Sequence, residues 1–240
     1  NYAPENAVVV VVGAVDADRV FALVEEKMGD IPRGPGRRPI HTREPEQLGE
    51  RRVTVEDANA TLAQVKIGWH IAETSHPDFP VYDVLERMLL VGESSRMHRL
   101  LVEEQQLCVS VWGGWQGHQF DPSLFTIEAL LREGRTTADV EAAIYAELDR
   151  LAGEGPAARE LEAAQNKLRA NLVRRMATID GKADLIGETE VFFGGWRNLP
   201  GRLGAIRAVT ADDVQRVLAE RFTRKNRTVC TLVLTSEDDE

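Results

Sequence analysis

Ser94-Ser95-Arg96-Met97-His98-Arg99-Leu100-Leu101-Val102-Glu103-Glu104-Gln105-Gln106-Leu107-Cys108-Val109-Ser110-Val111 carries two periodicities in succession. Met97, Leu100, Leu101 and Glu104 fall at spacings that set apolar groups on one stripe of a helix and charges on another. From Leu107 the period becomes two: Leu107, Val109 and Val111 alternate with Cys108 and Ser110, and Gly113-Gly114 closes the run. The stretch predicts a helix that feeds directly into a half-buried strand.

Upstream, Arg52–Val55 and Leu62–Ile71 read as strands. Ser75 and Asp78 stand in a capping arrangement before a helix whose buried stripe is Val81, Val84, Leu85, Met88 and Leu89. Downstream come a strand at Leu124–Leu131, a helix at Ala138–Leu151, a break at Gly153-Glu154-Gly155-Pro156, and helices over Ala157–Met176 and Lys182–Phe193. Thr210 with Asp213 predicts a second capping box ahead of Val214, Val217, Leu218 and Phe222, and Val229–Leu234 is the closing strand. Strands and helices mix without the steady alternation of a doubly wound sheet, so the expected class is α+β, an antiparallel sheet packed against helices.

The N-terminal region reads as a separate piece. Ala7–Val12 is a continuous apolar run, the pattern of a strand covered on both faces. Asp16 then caps a helix carrying Val20, Phe21, Leu23, Val24 and Met28. Ile31–Glu50 holds four prolines and three glycines with no apolar periodicity, which marks a tether. The expected organisation is residues 1–32 as the end of one domain, 33–50 as linker and 51–240 as a second domain. Tyr2, Asn6 and Val9 match Phe222, Asn226 and Val229 at a constant offset of 220 residues, each set leading into an apolar strand. A match at so long a period suggests two copies of one domain, with the chain beginning where the first copy ends.

Composition narrows the function classes. The 240 residues carry 29 basic and 39 acidic side chains, a net charge of −10, which argues against a nucleic-acid partner. The basic run Arg33–Arg38 is short, interleaved with Gly and Pro, and reads as solvated linker. No apolar run approaches the roughly 18 to 20 residues of a membrane span. The expected protein is soluble, cytoplasmic or periplasmic; Asn1 begins no signal-peptide progression, and any such segment would lie upstream. Cys108 and Cys230 both occupy apolar strand positions and read as small buried thiols, with nothing calling for a disulfide.

Taken in order, several of these pieces resemble a known family. Tyr2-Ala3-Pro4-Glu5-Asn6 leading into Val8–Val12, then Gly13-Ala14-Val15-Asp16, a helix, and Gly29-Asp30-Ile31-Pro32 are similar to the segment that ends the first domain of the M16 (pitrilysin or insulinase type) zinc peptidases. His76-Pro77-Asp78, Ser94-Ser95-Arg96-Met97 and Thr210-Ala211-Asp212-Asp213-Val214 resemble later landmarks of that family. The resemblance implies a LuxS/mitochondrial-processing-peptidase-like metallohydrolase fold of two related α+β domains around a chamber that takes unfolded or extended peptides. It also implies zinc held by an H-x-x-E-H helix, in which two histidines one turn apart bind the metal and the glutamate activates water. This chain has no H-x-x-E-H. Zinc is therefore expected upstream of Asn1 or on a partner, in a homodimer or heterodimer, with none bound by this chain.

The family often sets an arginine and, seven residues later, a tyrosine on the helix-to-strand feature, to hold the substrate carbonyl or developing oxyanion. Alignment through Ser94-Ser95-Arg96 and Leu107–Val111 puts Val102 and Val109 there, and neither side chain donates a hydrogen bond. Ala14 likewise replaces the aspartate usual after Gly13. Losing transition-state electrostatics removes a large catalytic contribution. The expectation is a noncatalytic second domain, with Val102, Val109 and Trp112 as candidate chamber-lining residues and no catalytic or metal residue. An inactive architectural subunit of a larger assembly is the alternative.

Other constellations are weaker. His70, Glu73 and His76 could mimic a metal site, but His70 ends a strand and the others follow in a loop, without the helical geometry a zinc pair needs. His98 reads as a surface residue. His118, Trp112 and Trp115 read as strand-end packing or, alternatively, as a peptide-binding wall.

Overall fold

The computed structural model describes residues 3–34, 42 and 44–234. Tyr2 and all of the basic run but Arg33 and Gly34 lie outside them. The chain divides into two compact units, one of residues 1–46 and 171–200, the other of residues 47–170 and 201–240.

The larger unit is built on a five-stranded sheet of β1 (Arg51–Asp57), β2 (Gln64–Ile71), β3 (Cys108–Trp115), β4 (Ser123–Leu131) and β5 (Arg227–Leu234), in the order β1-β5-β2-β4-β3. Three of its ladders are antiparallel, and β1 joins β5 in parallel at one edge. The helices of this unit include α2 (Phe79–Leu89), α3 (Thr137–Glu154) and α7 (Ala211–Arg221), the last of which follows α6 (Leu199–Ala208) in the chain. The register shows that all three cover one face. Trp69, Phe125 and Trp115 are cross-strand neighbours, and they meet Phe222 at the end of α7 and Phe79 at the start of α2 through ring contacts of 5.0–5.2 Å. Arg52 lies in the row of Val229 and Ile67 and reaches Glu141 of α3. Val65, Ile67, Trp69 and Ile71 are accordingly buried, and this layer is the core.

Local chemistry explains the helix starts. Thr210 accepts from Asp213 N at 3.1 Å while the Asp213 carboxylate takes the Thr210 N–H at 2.9 Å, a complete capping box. The capping arrangement expected from Ser75 and Asp78 does not form. Asp78 is the N-cap residue but makes no side-chain cap; its carboxylate binds Arg216 at 2.6 and 3.0 Å, and its N–H donates to His76 Nδ1. A charge-assisted bidentate pair with Arg216 outcompetes a neutral cap for the same oxygens.

In the smaller unit, α1 (Ala17–Met28) is capped by Asp16, whose side chain accepts from Arg19 N at 2.9 Å. It lies with α5 (Ile179–Phe192) and the end of α4 (Ala158–Met176), which Arg175 ties to Glu188 at 2.7 Å. Ala7–Val12 is the clear departure from expectation. It joins no ladder among the described residues, and Val8, Val9 and Val11 are exposed although Val10 meets Gly187 of α5. An apolar run records what a segment needs, and a strand forms only where neighbours supply the hydrogen bonds.

Candidate functional site

The face of the sheet opposite the helices stays open. Across it runs the cross-strand row Trp112, Glu128, Lys66, Cys230 and Val53, in which Lys66 and Glu128 pair at 2.9 Å and Trp112 and Val53 remain 40% and 53% exposed. Val55 and Leu124 are also exposed there. Aromatic and aliphatic groups beside the Lys66–Glu128 pair give this face apolar area on which an extended chain can lie.

The two edges differ. β1 is a regular seven-residue edge with every residue exposed. β3 is interrupted by a register shift between Cys108 and Ser110 and by Gly113 and Gly114 at φ +137° and +122°. Gly113 is required: a Cβ there would overlap the Thr126 carbonyl of the neighbouring strand. Such irregularity blunts an edge against indiscriminate pairing.

The helix that leads into β3 is not an α-helix. His98–Glu104 is π-helical, and Gln105 N–H donates to Leu100 O at 2.9 Å, five residues back. This widened turn shifts side chains relative to a 3.6-residue wheel. Val102 is half-buried within it, and Val109 sits 49% exposed in the irregular start of β3. Arg132 braces the junction, donating to Cys108 O at 3.0 Å and Val102 O at 3.5 Å. Neither valine has a polar side chain to offer.

Arg96 serves packing. Its guanidinium grips both oxygens of Glu160 at 2.6 Å and reaches Glu147 at 2.7 Å, so α3 and α4 are held against the start of the π-turn. Periodicity could not reveal this cluster, because its partners lie 51 and 64 residues away. Trp112 and Trp115, read together from sequence, separate: Trp112 faces outward, whereas Trp115 packs against Phe79 and His118 at 5.0 Å. His98 stands 3.8 Å from Glu103.

Asp83 and Glu86 on α2 are the most displaced carboxyl groups. Burial pushes each carboxyl up to about 7, and the Glu86 charge adds to the rise at Asp83. Arg202 and Arg87 oppose the shift at Asp83, and Arg87 opposes it at Glu86.

Among the described residues no three His, Cys, Asp or Glu side chains converge as a metal site. His70 is on β2 with its carbonyl accepting from Asn226, and His76 Nδ1 accepts from Asp78 N, so His70, Glu73 and His76 do not fit zinc. The cysteines are both free, Cys108 buried and Cys230 half-buried. No helix among the described residues is long and apolar enough to cross a membrane.

Residues 1–168 match the family model described as the peptidase M16 inactive domain. The chain belongs to the M16 peptidase family. It is 28% identical over 232 residues to an uncharacterized zinc protease of Mycobacterium tuberculosis, covering 93% of this chain and 51% of that protein. It is 32% identical to the zinc protease PqqE of Helicobacter pylori over 109 residues, 44% of this chain and 24% of that one. The chain thus spans about half the length of the curated M16-type relatives it matches along most of its length. In fold it resembles a protease from Helicobacter pylori, with a TM-score of 0.84 at 22% identity over 92% of this chain and 53% of that one. It also resembles a peptidase M16 inactive domain from Pseudomonas fluorescens, with a TM-score of 0.76 at 14% identity over 92% and 52%.

Proposed function

We propose that this chain is the noncatalytic part of an M16 zinc peptidase, which pairs with a zinc-bearing H-x-x-E-H domain or subunit and supplies one wall of a peptide-binding chamber. The observation that carries the pairing is Ala7–Val12 with α1. Val8, Val9 and Val11 are exposed, Phe21 of α1 is 71% exposed, and α1 buries no residue. An apolar strand and an amphipathic helix without a sheet form half of a layer, and burying such surface contributes about 25 cal/mol per Å².

The internal match says what is needed. A 3-10 turn at Pro4–Asn6 precedes Ala7–Val12 as one at Arg224–Asn226 precedes β5, at the same offset of 220 residues. β5 pairs with β1 on one side and β2 on the other. By this equivalence Ala7–Val12 takes one parallel and one antiparallel neighbour, both from the zinc-bearing domain. Residues 1–32 then end a first domain, 33–50 tether it, and the second domain supplies the open face bearing Trp112, with β1 the more regular edge for adding an extended peptide.

The test is amide hydrogen exchange on this chain, alone and mixed with the H-x-x-E-H half of its parent protein. Formation of a complex with slowed exchange across Val8–Val12 is expected. A lack of complex, with exchange there unchanged, refutes the pairing. A labelled unfolded peptide should bind the complex, and its failure to bind refutes the chamber role.

A further inference from the structure

Within the larger unit a cavity of about 550 Å³ opens among α2, the π-turn, α3 and α4. It lies on the helical side of the sheet, away from the open face bearing Trp112. Six cationic side chains and three carboxylates line it, in a chain whose net charge is −10. The carboxylates are all engaged: Glu147 by Arg96 and Arg150, Glu160 by Arg96, and Glu104 by Arg99 at 3.4 Å. Arg87 has the Glu86 carboxyl nearby.

Three of the cations make no ion pair among the described residues: Arg87, whose Nε is buried without a hydrogen-bond partner, and two exposed side chains of α4. Arg159 makes no ion pair among the described residues, and Lys167 makes only a 3.5 Å contact to Ser94 Oγ. Both project from α4 eight residues apart, so their Cα atoms are separated by about 12 Å along the axis and about 80° around it, and both line the cavity. Two long side chains converging over that span fit an anion with separated charges better than a point charge. Apolar groups such as Met88, Leu100 and Ala164 complete the walls, and the volume falls within the range of small-ligand sites.

We propose that this cavity binds a small multivalent oxyanion bearing phosphate or carboxylate groups, clamped by Arg159 and Lys167 over a floor set by the Arg96–Glu147–Glu160 brace. Paired surface charges gain little from one another in water, whereas unpaired guanidinium and ammonium groups facing one cavity gain charge-assisted hydrogen bonds from an oxyanion.

Isothermal titration calorimetry of the chain with pyrophosphate and with citrate tests it, the two probes separating phosphate from carboxylate chemistry. Saturable binding of at least one is expected, weakening with added salt and falling about tenfold or more when Arg159→Ala and Lys167→Ala are combined. Both residues are exposed, so helical circular dichroism should be unchanged. If it is not, Lys167→Gln alone replaces the pair. Arg174→Ala, on the same helix but outside the cavity lining, should bind as the parent does. Absence of saturable heat with both probes, or undiminished binding by the Arg159/Lys167 variant, overturns the proposal.

Discussion

Replacing Arg96 with methionine tests whether the arginine of the Ser-Ser-Arg-Met landmark is structural. Its side chain is 15% exposed and contacts Glu147 at 8% and Glu160 at 29% exposure. Methionine keeps the apolar stem and removes three charge-assisted hydrogen bonds. Breaking a buried pair by deleting one partner costs roughly 3–5 kcal/mol. Glu147 retains Arg150 at 2.8 and 3.0 Å, and Glu160 retains some solvent, so the low end applies, about 3 kcal/mol. At about 2–4 °C per kcal/mol for a chain of this size, the melting temperature should fall by about 6–12 °C. Combining Arg96→Met with Glu160→Gln should recover part of the loss, because the carboxylate left without a partner is gone; thermal melts of the two single variants and the double form the cycle. A drop below about 1 kcal/mol, or a double variant no more stable than Arg96→Met alone, would show that the brace carries no stability.

Two further outcomes follow from the same geometry. Asp83 and Glu86 hold their protons to about pH 7 in the folded chain and release them near their ordinary values when unfolded, so the folded state binds more protons between those limits. Their stabilising contribution is complete at low pH and disappears as pH rises through about 7; Asp83→Asn should flatten that fall, and urea midpoints at mildly acidic and mildly alkaline pH that shift equally in variant and parent would contradict it. Trp112→Ala should weaken binding of an unfolded peptide about tenfold without lowering stability, since the ring is on the open face, and fluorescence anisotropy showing equal affinity would remove Trp112 from the peptide wall.

Much of the fold was legible because its signals are local. The change of period after Glu104 marked the entry to β3, the Thr210–Asp213 spacing marked a real capping box, and the polar faces of the helices separated from the core. The π-turn was not legible, since such turns are rare, no residue type marks them, and one short apolar pair reads equally well as α-helix. Nor was the failure of the Ser75–Asp78 cap, because Arg216 lies 138 residues from Asp78.

By itself, then, the sequence determined the family, the α+β class and the lack of an H-x-x-E-H motif in these 240 residues. Those properties depend on residue identity and short spacing. Tertiary structure alone decided that Trp112 faces out while Trp115 packs inward, that Arg96 is a brace, that Arg159 and Lys167 share a cavity, and that Ala7–Val12 has no ladder partner among the described residues. Each of these depends on which distant groups arrive at one place, and burial and pairing free energies follow from that arrival and not from the order of residues along the chain.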